Sequence, residues 1–266
     1  MLIRQHWRRE APSLISWSII LFTTMLPMTL SVELVLRGTG MEQISRLLEQ
    51  LPPALRSFMG PTAGQVTLNM WAISLVFRTM APLLLTIYTA MATLTILTRE
   101  ADAGVMDFLM ALPIRRSRLM LSRFLVLVCN LAILHAVLLS AASLGAVLLG
   151  YELALRQYAL IAANGYLVQL ALASLLLVVS IFVDDYTQGL FVTIGLGLGL
   201  YFLSVTVEPR SSLAWLGKIS FFSYSRPDEI MRTGVIPWSD SAVLAGAVVV
   251  LVVAAAWLFE RKQVSA

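Results

Sequence analysis

Long apolar runs separated by short polar connections make up most of this chain. Several runs exceed the roughly 20 residues that a helix needs to cross about 30 Å of hydrocarbon, whereas a membrane-spanning β-strand needs about 10. A helix also satisfies all of its own backbone polar groups inside a bilayer. The pattern therefore predicts an all-α polytopic membrane protein with six transmembrane helices, at about residues 13–36, 70–98, 119–149, 158–183, 189–207 and 240–259.

The composition agrees with a membrane protein. The 266 residues are 59 % hydrophobic and 13 % charged, whereas about a quarter of the residues are charged in soluble domains. No second, soluble domain is visible, so we expect residues 1–266 to form one transmembrane domain. The net charge is +4, but the basic residues lie mostly at the ends of apolar segments, where membrane topology explains them. We therefore expect membrane lipid, and not nucleic acid, as a partner.

The basic residues also predict how the chain is oriented. Six crossings place both termini on one side, and the denser basic cluster on that side assigns it to the cytoplasm. The N-terminal apolar region is longer than that of a signal peptide and has no evident cleavage site, so we interpret it as a retained first span. The cytoplasmic cluster consists of Arg4, Arg8, Arg9, Arg99, Arg115, Arg116, Arg118, Arg123, Arg261 and Lys262.

The segment at residues 99–118 is the one strongly charged, helix-patterned passage between two long apolar runs. Acidic residues come first and favour the N-terminal end of a helix dipole, and Pro113 ends the helix. The helix could rest on the bilayer or contact a protein; acids match an anionic leaflet poorly, which favours a protein. Apolar residues at i, i+3, i+4 and i+7 give the helix one apolar face, formed by Val105, Phe108, Leu109 and Leu112.

The run from Arg99 to Arg118, with the pattern RE-x-D-x-G-V-x-D-F-L-x-A-L-P-I-x-R-S-R, resembles the signature of type-2 ABC transporter permeases. Two other stretches agree with this resemblance. LPPALRSFMG, from Leu51 to Gly60, is similar to an external loop of the drug and antibiotic exporter branch, and WLFERK, from Trp257 to Lys262, is similar to the ending of the family. The six-span plan covers essentially the whole chain.

The resemblance implies a coupling helix at residues 99–118 that docks into a cleft of an ATP-binding subunit, present in two copies, and an interfacial helix at residues 1–11. It also implies a second permease chain, identical or paralogous, and a location in the bacterial plasma membrane. The cargo would be hydrophobic or amphipathic, such as a drug, antibiotic, peptide or lipid. The implied coupling interface comprises Glu100, Asp102, Gly104, Val105, Asp107, Phe108, Leu109, Leu112, Pro113, Arg115 and Arg116.

ATP chemistry is expected in another polypeptide. A phosphate-binding P-loop needs G-x-x-x-x-G-K-[ST], because its backbone amides and lysine hold the nucleotide phosphates. The sequence contains two lysines, and Lys218, although preceded by Gly217, is followed by Ile219. We therefore expect no cofactor in this chain, and ATP and Mg²⁺ in the partner subunit.

Four polar residues inside the predicted spans are candidates for a substrate path. Arg78 lies about 12 Å from the outer end of the second span at 1.5 Å per residue. It could snorkel to the interface, pair with Glu33, or contact substrate. The other three, which could form interhelical hydrogen bonds or line the path, are His135, Asn164 and Gln169.

Two glycines of the fifth span, Gly195 and Gly199, form a G-x-x-x-G pattern that lets helix backbones approach closely. In the resembled family the first and fifth spans meet across a permease dimer, so these glycines could form a dimer interface or pack within one subunit.

Pro27 and Pro82 are expected to bend their helices. The segment 211–240 is rich in aromatic residues, which predicts a layer at the outer membrane interface.

Two other classes of function remain as alternatives. An ion-coupled transporter or channel usually carries acidic residues at mid-membrane, and we assign none there. An intramembrane enzyme needs convergent nucleophile, acid and base groups, and His6 and His135 lie at different predicted depths.

The single cysteine, Cys129, excludes a disulfide within the chain and a cysteine-based metal site. We expect neither a metal site nor catalysis by this chain.

Overall fold

The computed structural model describes residues 2–50, 73–97, 116–150, 153–183, 185–207 and 214–261. Across these ranges the chain is helical, without a β-strand, and six helices are long and apolar enough to cross a membrane. The prediction of an all-α protein with six spanning helices is therefore confirmed. The predicted coupling helix at residues 99–118 lies outside the described residues, except for its last three.

Helices α1 to α5 and α8 are the six spanning helices. A π-helical segment, Ile73–Met80, leads directly into α2, and two short helices and a 3-10 helix connect α5 to α8. The bounds are α1 Leu2–Gln50, α2 Ala81–Leu97, α3 Arg116–Leu149, α4 Leu155–Ser180, α5 Tyr186–Thr206, α6 Ala214–Gly217, the 3-10 helix Phe221–Tyr224, α7 Pro227–Thr233 and α8 Trp238–Arg261.

The first helix differs from its predicted division. Residues 1–11 were expected to form an interfacial helix separate from a span at 13–36, but α1 continues through both without a break. Its membrane-compatible part is His6–Leu30, which begins several residues before the predicted span. Pro12 and Pro27 lie inside the helix, as prolines do in membrane helices when other groups satisfy the freed carbonyls. The hydroxyl of Ser16 donates to the carbonyl of Pro12 at 3.0 Å, a bond to the preceding turn that serine commonly makes within helices.

Helix α4 lies at the centre of the bundle and packs against α2, α3 and α8, while α1 packs on α3 and α5 packs on α2. The approach of α1 to α3 is close, because a Cβ placed on Gly145 would lie 2.7 Å from Cγ2 of Thr29. The peripheral helices expose apolar side chains, including Ile19, Phe191 and Val250. A bilayer accommodates such faces without cost, since lipid tails are as apolar as the side chains.

The segment between α5 and α8 folds back onto the bundle. The hydroxyl of Ser220 donates to the carbonyl of Leu200 at 2.7 Å, and the ring of Phe222 packs edge-on against Tyr201 at 5.4 Å. Helix α7 packs against α4 and the π-helical segment. Of the aromatic residues expected at the interface, Phe222 is therefore buried in the bundle, whereas Trp215 and Trp238 are exposed.

Candidate functional site

Two hydrogen bonds fix the helix ends that flank the predicted coupling segment. The guanidinium of Arg123, which is only 8 % exposed, donates from Nη1 to the carbonyl of Ile96 at 2.7 Å. That carbonyl belongs to the last turn of α2, where carbonyls have no partner within the helix. The hydroxyl of Ser117 donates to Oε1 of Glu260 at 2.6 Å. The start of α3 is thus tied to the ends of both α2 and α8.

These anchors were not predicted as functional positions. A charged residue inside the third apolar run was the signal for Arg123, but its partner, a backbone carbonyl of another helix, has no signature in the sequence. Of the predicted coupling residues, Arg116 begins α3. The others lie outside the described residues: Glu100, Asp102, Gly104, Val105, Asp107, Phe108, Leu109, Leu112, Pro113 and Arg115.

A cavity of about 420 Å³ opens between α1, α2 and α5. It lies at the end of the bundle where α1 begins, α2 ends and α5 begins. The rings of Trp17 and Tyr88 meet edge-on in its wall, with centroids 5.7 Å apart. We call it the aromatic cavity, and its lining consists of Glu10, Ser13, Trp17, Tyr88, Met91, Ala92, Thr95 and Tyr186.

Glu10 is the acidic residue of this lining, and it is 9 % exposed. Sequence reasoning missed it, because residues 1–11 were expected at the membrane surface, where an acid is unremarkable. The continuity of α1 instead places Glu10 inside the helix stretch that is apolar enough to span the membrane. An ionisable residue at such a position is costly and is a functional candidate by default.

Arg78 forms an ion pair at the opposite end of the bundle. Its Nη1 lies 2.5 Å from Oδ2 of Asp228, with the two side chains 33 % and 21 % exposed. The hydroxyl of Tyr201 donates to the backbone carbonyl of Arg78 at 3.1 Å. Arg78 lies in the π-helical segment, a rare wide turn that leaves a carbonyl available and often marks functional sites. The partner of Arg78 among the described residues is Asp228 of α7, and the side chain of Glu33, the predicted partner, lies outside the described residues.

A second cavity, of about 490 Å³, surrounds this ion pair. Arg226 at its wall forms two ion pairs. Its Nη1 lies 3.2 Å from Oε2 of Glu229, and its Nε lies 2.7 Å from Oδ2 of Asp240. We call it the basic cavity, because its lining carries the four bases Arg78, Lys218, Arg226 and Arg232 against the two acids Asp228 and Glu229.

Removal of either partner of the Arg78 ion pair should destabilise the protein. We expect Arg78→Met and Asp228→Asn each to lower the free energy of unfolding in detergent by about 1.5 to 3 kcal/mol, the range for hydrogen bonds to charged groups. The double variant should lose less than the sum, because neither charge is then left unpaired. Arg232→Met, at an exposed base of the same cavity, is the control and should change stability little. Additive losses in the double variant would contradict the pairing.

His135 and Gln169 line one small cavity between α2, α3 and α4, together with Phe222 and Ser225. Its volume of about 30 Å³ has room for about one water molecule. Nδ1 of His135 donates to the carbonyl of Leu131 at 2.8 Å, and the hydroxyl of Thr89 donates to Oε1 of Gln169 at 3.2 Å. Passage of cargo here would require the helices to separate.

Asn164 does not line that cavity. It is 2 % exposed, and neither atom of its amide has a hydrogen-bond partner among the described residues. The structure therefore brings together two of the four predicted path residues, His135 and Gln169, while Arg78 and Asn164 each lie elsewhere.

The glycines of α5 face in two directions. Gly195 and Gly199 are exposed, and a Cβ at either would meet no atom within 4 Å. Gly197 is buried, and a Cβ there would lie 2.6 Å from Cγ2 of Thr86 in α2. Close packing within the subunit thus involves Gly197, whereas the predicted G-x-x-x-G pair lies on an open face.

The comparison with known protein families covers nearly the whole chain. Residues 10–264 match the family model described as ABC-2 family transporter protein. No curated protein matches the chain.

Proposed function

The chain belongs to the ABC-2 family of transporter proteins, and from this membership we propose that it is the permease of an ATP-driven exporter for hydrophobic or amphipathic cargo. The resemblance of the chain to type-2 ABC transporter permeases is confirmed, and the protein is a multi-pass membrane component of a transporter, not a catalytic subunit. The match over residues 10–264, on a chain with six spanning helices, is the observation that carries the proposal. We place the complex in a bacterial plasma membrane.

Proteins of this family generally work with an ATP-binding subunit. We propose that two such subunits bind ATP and Mg²⁺ and that each docks on the coupling segment at residues 99–118. The bonds of Arg123 to Ile96 and of Ser117 to Glu260 support this role. The Arg123 bond joins the helices on both sides of the segment and the Ser117 bond joins α3 to α8, so a displacement of the segment would move these three helices together.

The aromatic cavity lies at the end of the bundle where α1 begins and where α2 ends, which is also the end of α2 that leads into the predicted coupling segment. The distribution of basic residues assigns this end to the cytoplasm. Cargo that enters the cavity would therefore come from the cytoplasm or the inner leaflet, which is the direction of loading in an exporter.

A second permease chain would dock on the open face of α5. Gly195 and Gly199 have no side chains, and no atom lies within 4 Å of their Cβ positions, so another helix could approach this face closely. Helices in membranes associate through such small residues. Phe191 and Phe202, both exposed on α5, would extend the contact in the proposed dimer.

Co-expression with the ATP-binding protein of its transporter tests this function. We expect the two chains to co-purify in mild detergent and the permease to stimulate ATP hydrolysis by that partner in proteoliposomes. A partner that neither binds the chain nor responds to it would contradict the proposal, as would transport driven by an ion gradient without ATP.

A further inference from the structure

The second span changes its helix type at one point, and Arg78 lies next to that point. The π-helical segment Ile73–Met80 ends where α2 begins at Ala81, and Pro82 follows directly. Prolines and π-turns are the usual causes of sharp bends in helices. We infer that residues 78–82 are a hinge and that two contacts of Arg78 form a latch, which keeps the hinge closed until cargo leaves. The inference rests on the proposed export function.

The first contact of the latch is made by the backbone. Proline has no amide hydrogen, so Pro82 deprives the carbonyl four residues earlier of the donor that a regular helix would supply. That carbonyl belongs to Arg78, and the hydroxyl of Tyr201 in α5 donates to it at 3.1 Å. Tyr201 is buried, and its ring packs edge-on against Phe222 at 5.4 Å. The irregular turn is therefore tied to α5 by a bond that a regular helix would not need.

The second contact is made by the side chain of Arg78. Its guanidinium pairs with Asp228 in the first turn of α7. Helix α7 is also fixed to α8, because Nε of Arg226 lies 2.7 Å from Oδ2 of Asp240. The π-helical segment can thus separate from α7 when the ion pair of Arg78 breaks, while the ion pair of Arg226 holds α7 on α8.

The exposure of the ion pair suits a contact that opens and closes. The side chains of Arg78 and Asp228 are 33 % and 21 % exposed, so water can solvate both charges when they separate. A fully buried pair would instead leave two uncompensated charges, at a high cost. The bond of Arg123 to the carbonyl of Ile96, at the other end of α2, involves a guanidinium that is only 8 % exposed. That bond suits a permanent anchor.

The hinge lies between two cavities. The small cavity that contains His135 has a volume of about 30 Å³, and the basic cavity has one of about 490 Å³. Both are lined by Pro82, Phe222 and Ser225. A displacement of the π-helical segment away from α7 would therefore join the interior of the bundle to the basic cavity. An exporter needs an opening of this kind to release its cargo.

Labelling of a thiol from the outer side measures whether the hinge is open. Ala162, a buried residue of the small cavity, is replaced by cysteine in a chain that carries Cys129→Ala. A membrane-impermeant methanethiosulfonate is then added to spheroplasts. We expect Arg78→Met and Asp228→Asn each to raise the labelling rate of Ala162→Cys about tenfold, the factor that corresponds to the loss of one hydrogen bond to a charged group. The exchanged pair, Arg78→Asp with Asp228→Arg, should restore slow labelling.

Two controls separate opening of the hinge from unfolding. Ala142→Cys, at a buried position of α3 outside the described lining of both cavities, should stay unlabelled in every variant. Arg226→Met removes the ion pair between α7 and α8 but leaves the latch, so it should not raise the labelling of Ala162→Cys. Equal labelling of the two cysteines in Arg78→Met, or unchanged labelling of Ala162→Cys in both latch variants, would overturn the inference.

A reversible lock tests whether the latch opens during the ATPase cycle. In the complex with the ATP-binding partner, Arg78→Cys and Asp228→Cys are joined by a short bifunctional methanethiosulfonate. We expect the cross-link to remove the stimulation of ATP hydrolysis and reduction to restore it. Arg226→Cys and Asp240→Cys, joined in the same way between α7 and α8, are the matched control and should keep the full rate. Full stimulation with the first cross-link intact would overturn the latch.

The latch and the export function fail in different ways. Labelling is measured on the chain alone, so it reports on the hinge even when no ATP-binding partner engages. A permease that stimulates its partner but whose labelling ignores Arg78 and Asp228 keeps the proposed function and loses the latch. A chain whose labelling follows the ion pair, but which engages no ATP-binding partner, keeps the hinge and loses the proposed function.

Discussion

Phe108→Asp should abolish the stimulation of ATP hydrolysis by the permease. In the proposed complex, the apolar face of the coupling helix enters a cleft of the ATP-binding subunit, and Phe108 lies on that face by its spacing. A carboxylate buried there without a partner costs several kcal/mol. Since each 1.4 kcal/mol is a factor of ten in affinity, a cost of about 3 kcal/mol weakens docking more than a hundredfold. Leu112→Asp, one turn later on the same face, should do the same.

A matched control is available on the same helix. Met110 is apolar, but at 100° per residue it falls on the face opposite to Phe108 and Leu112. We expect Met110→Asp to leave the stimulated ATPase rate close to that of the unaltered complex. All variants should express and elute from size exclusion like the parent permease, because the segment connects spans that are held by other contacts. Stimulation that survives Phe108→Asp, or that is lost equally in Met110→Asp, would contradict the coupling assignment.

Gly197→Leu should destabilise the folded subunit strongly. A Cβ at this position already lies 2.6 Å from Cγ2 of Thr86, and a leucine adds three further carbons at the contact of α5 with α2. Overpacking of a tight contact costs about 1 to 3 kcal/mol, and we expect a loss near the upper end, about 3 kcal/mol. The free energy of unfolding in detergent, or the melting temperature at fixed detergent concentration, measures it.

Gly195→Leu and Gly199→Leu are the controls, and they have a different expected result. These glycines lie two residues before and after Gly197 in the same helix, but their Cβ positions meet nothing within 4 Å. Both variants should keep the stability of the isolated subunit. If the open face of α5 is the proposed dimer interface, they should also lower the fraction of dimer recovered by cross-linking in the membrane. Equal destabilisation by Gly195→Leu and Gly197→Leu would contradict the orientation of α5.

The sequence determined the class of structure and the number of spanning helices. A bilayer offers no water to backbone polar groups, so an apolar run of sufficient length must be helical. The number of long apolar runs therefore fixes the number of crossings without knowledge of any contact. The division of α1 was not determined in this way, because the interfacial helix at residues 1–11 was implied by the family resemblance, whereas α1 is continuous through Pro12. As a result, Glu10 was assigned to the surface.

Only the tertiary structure decided which face of each helix meets which neighbour. In lipid a spanning helix is apolar on its packed face and on its exposed face alike, so periodicity does not distinguish them. The alternating glycines of α5 look alike in the sequence. In the structure, however, Gly197 packs against α2, whereas Gly195 and Gly199 lie on the open face. The pairing of Arg78 with Asp228, far apart in the chain, and the closure of α1, α2 and α5 around Glu10 likewise depend on helix rotation, which packing alone sets.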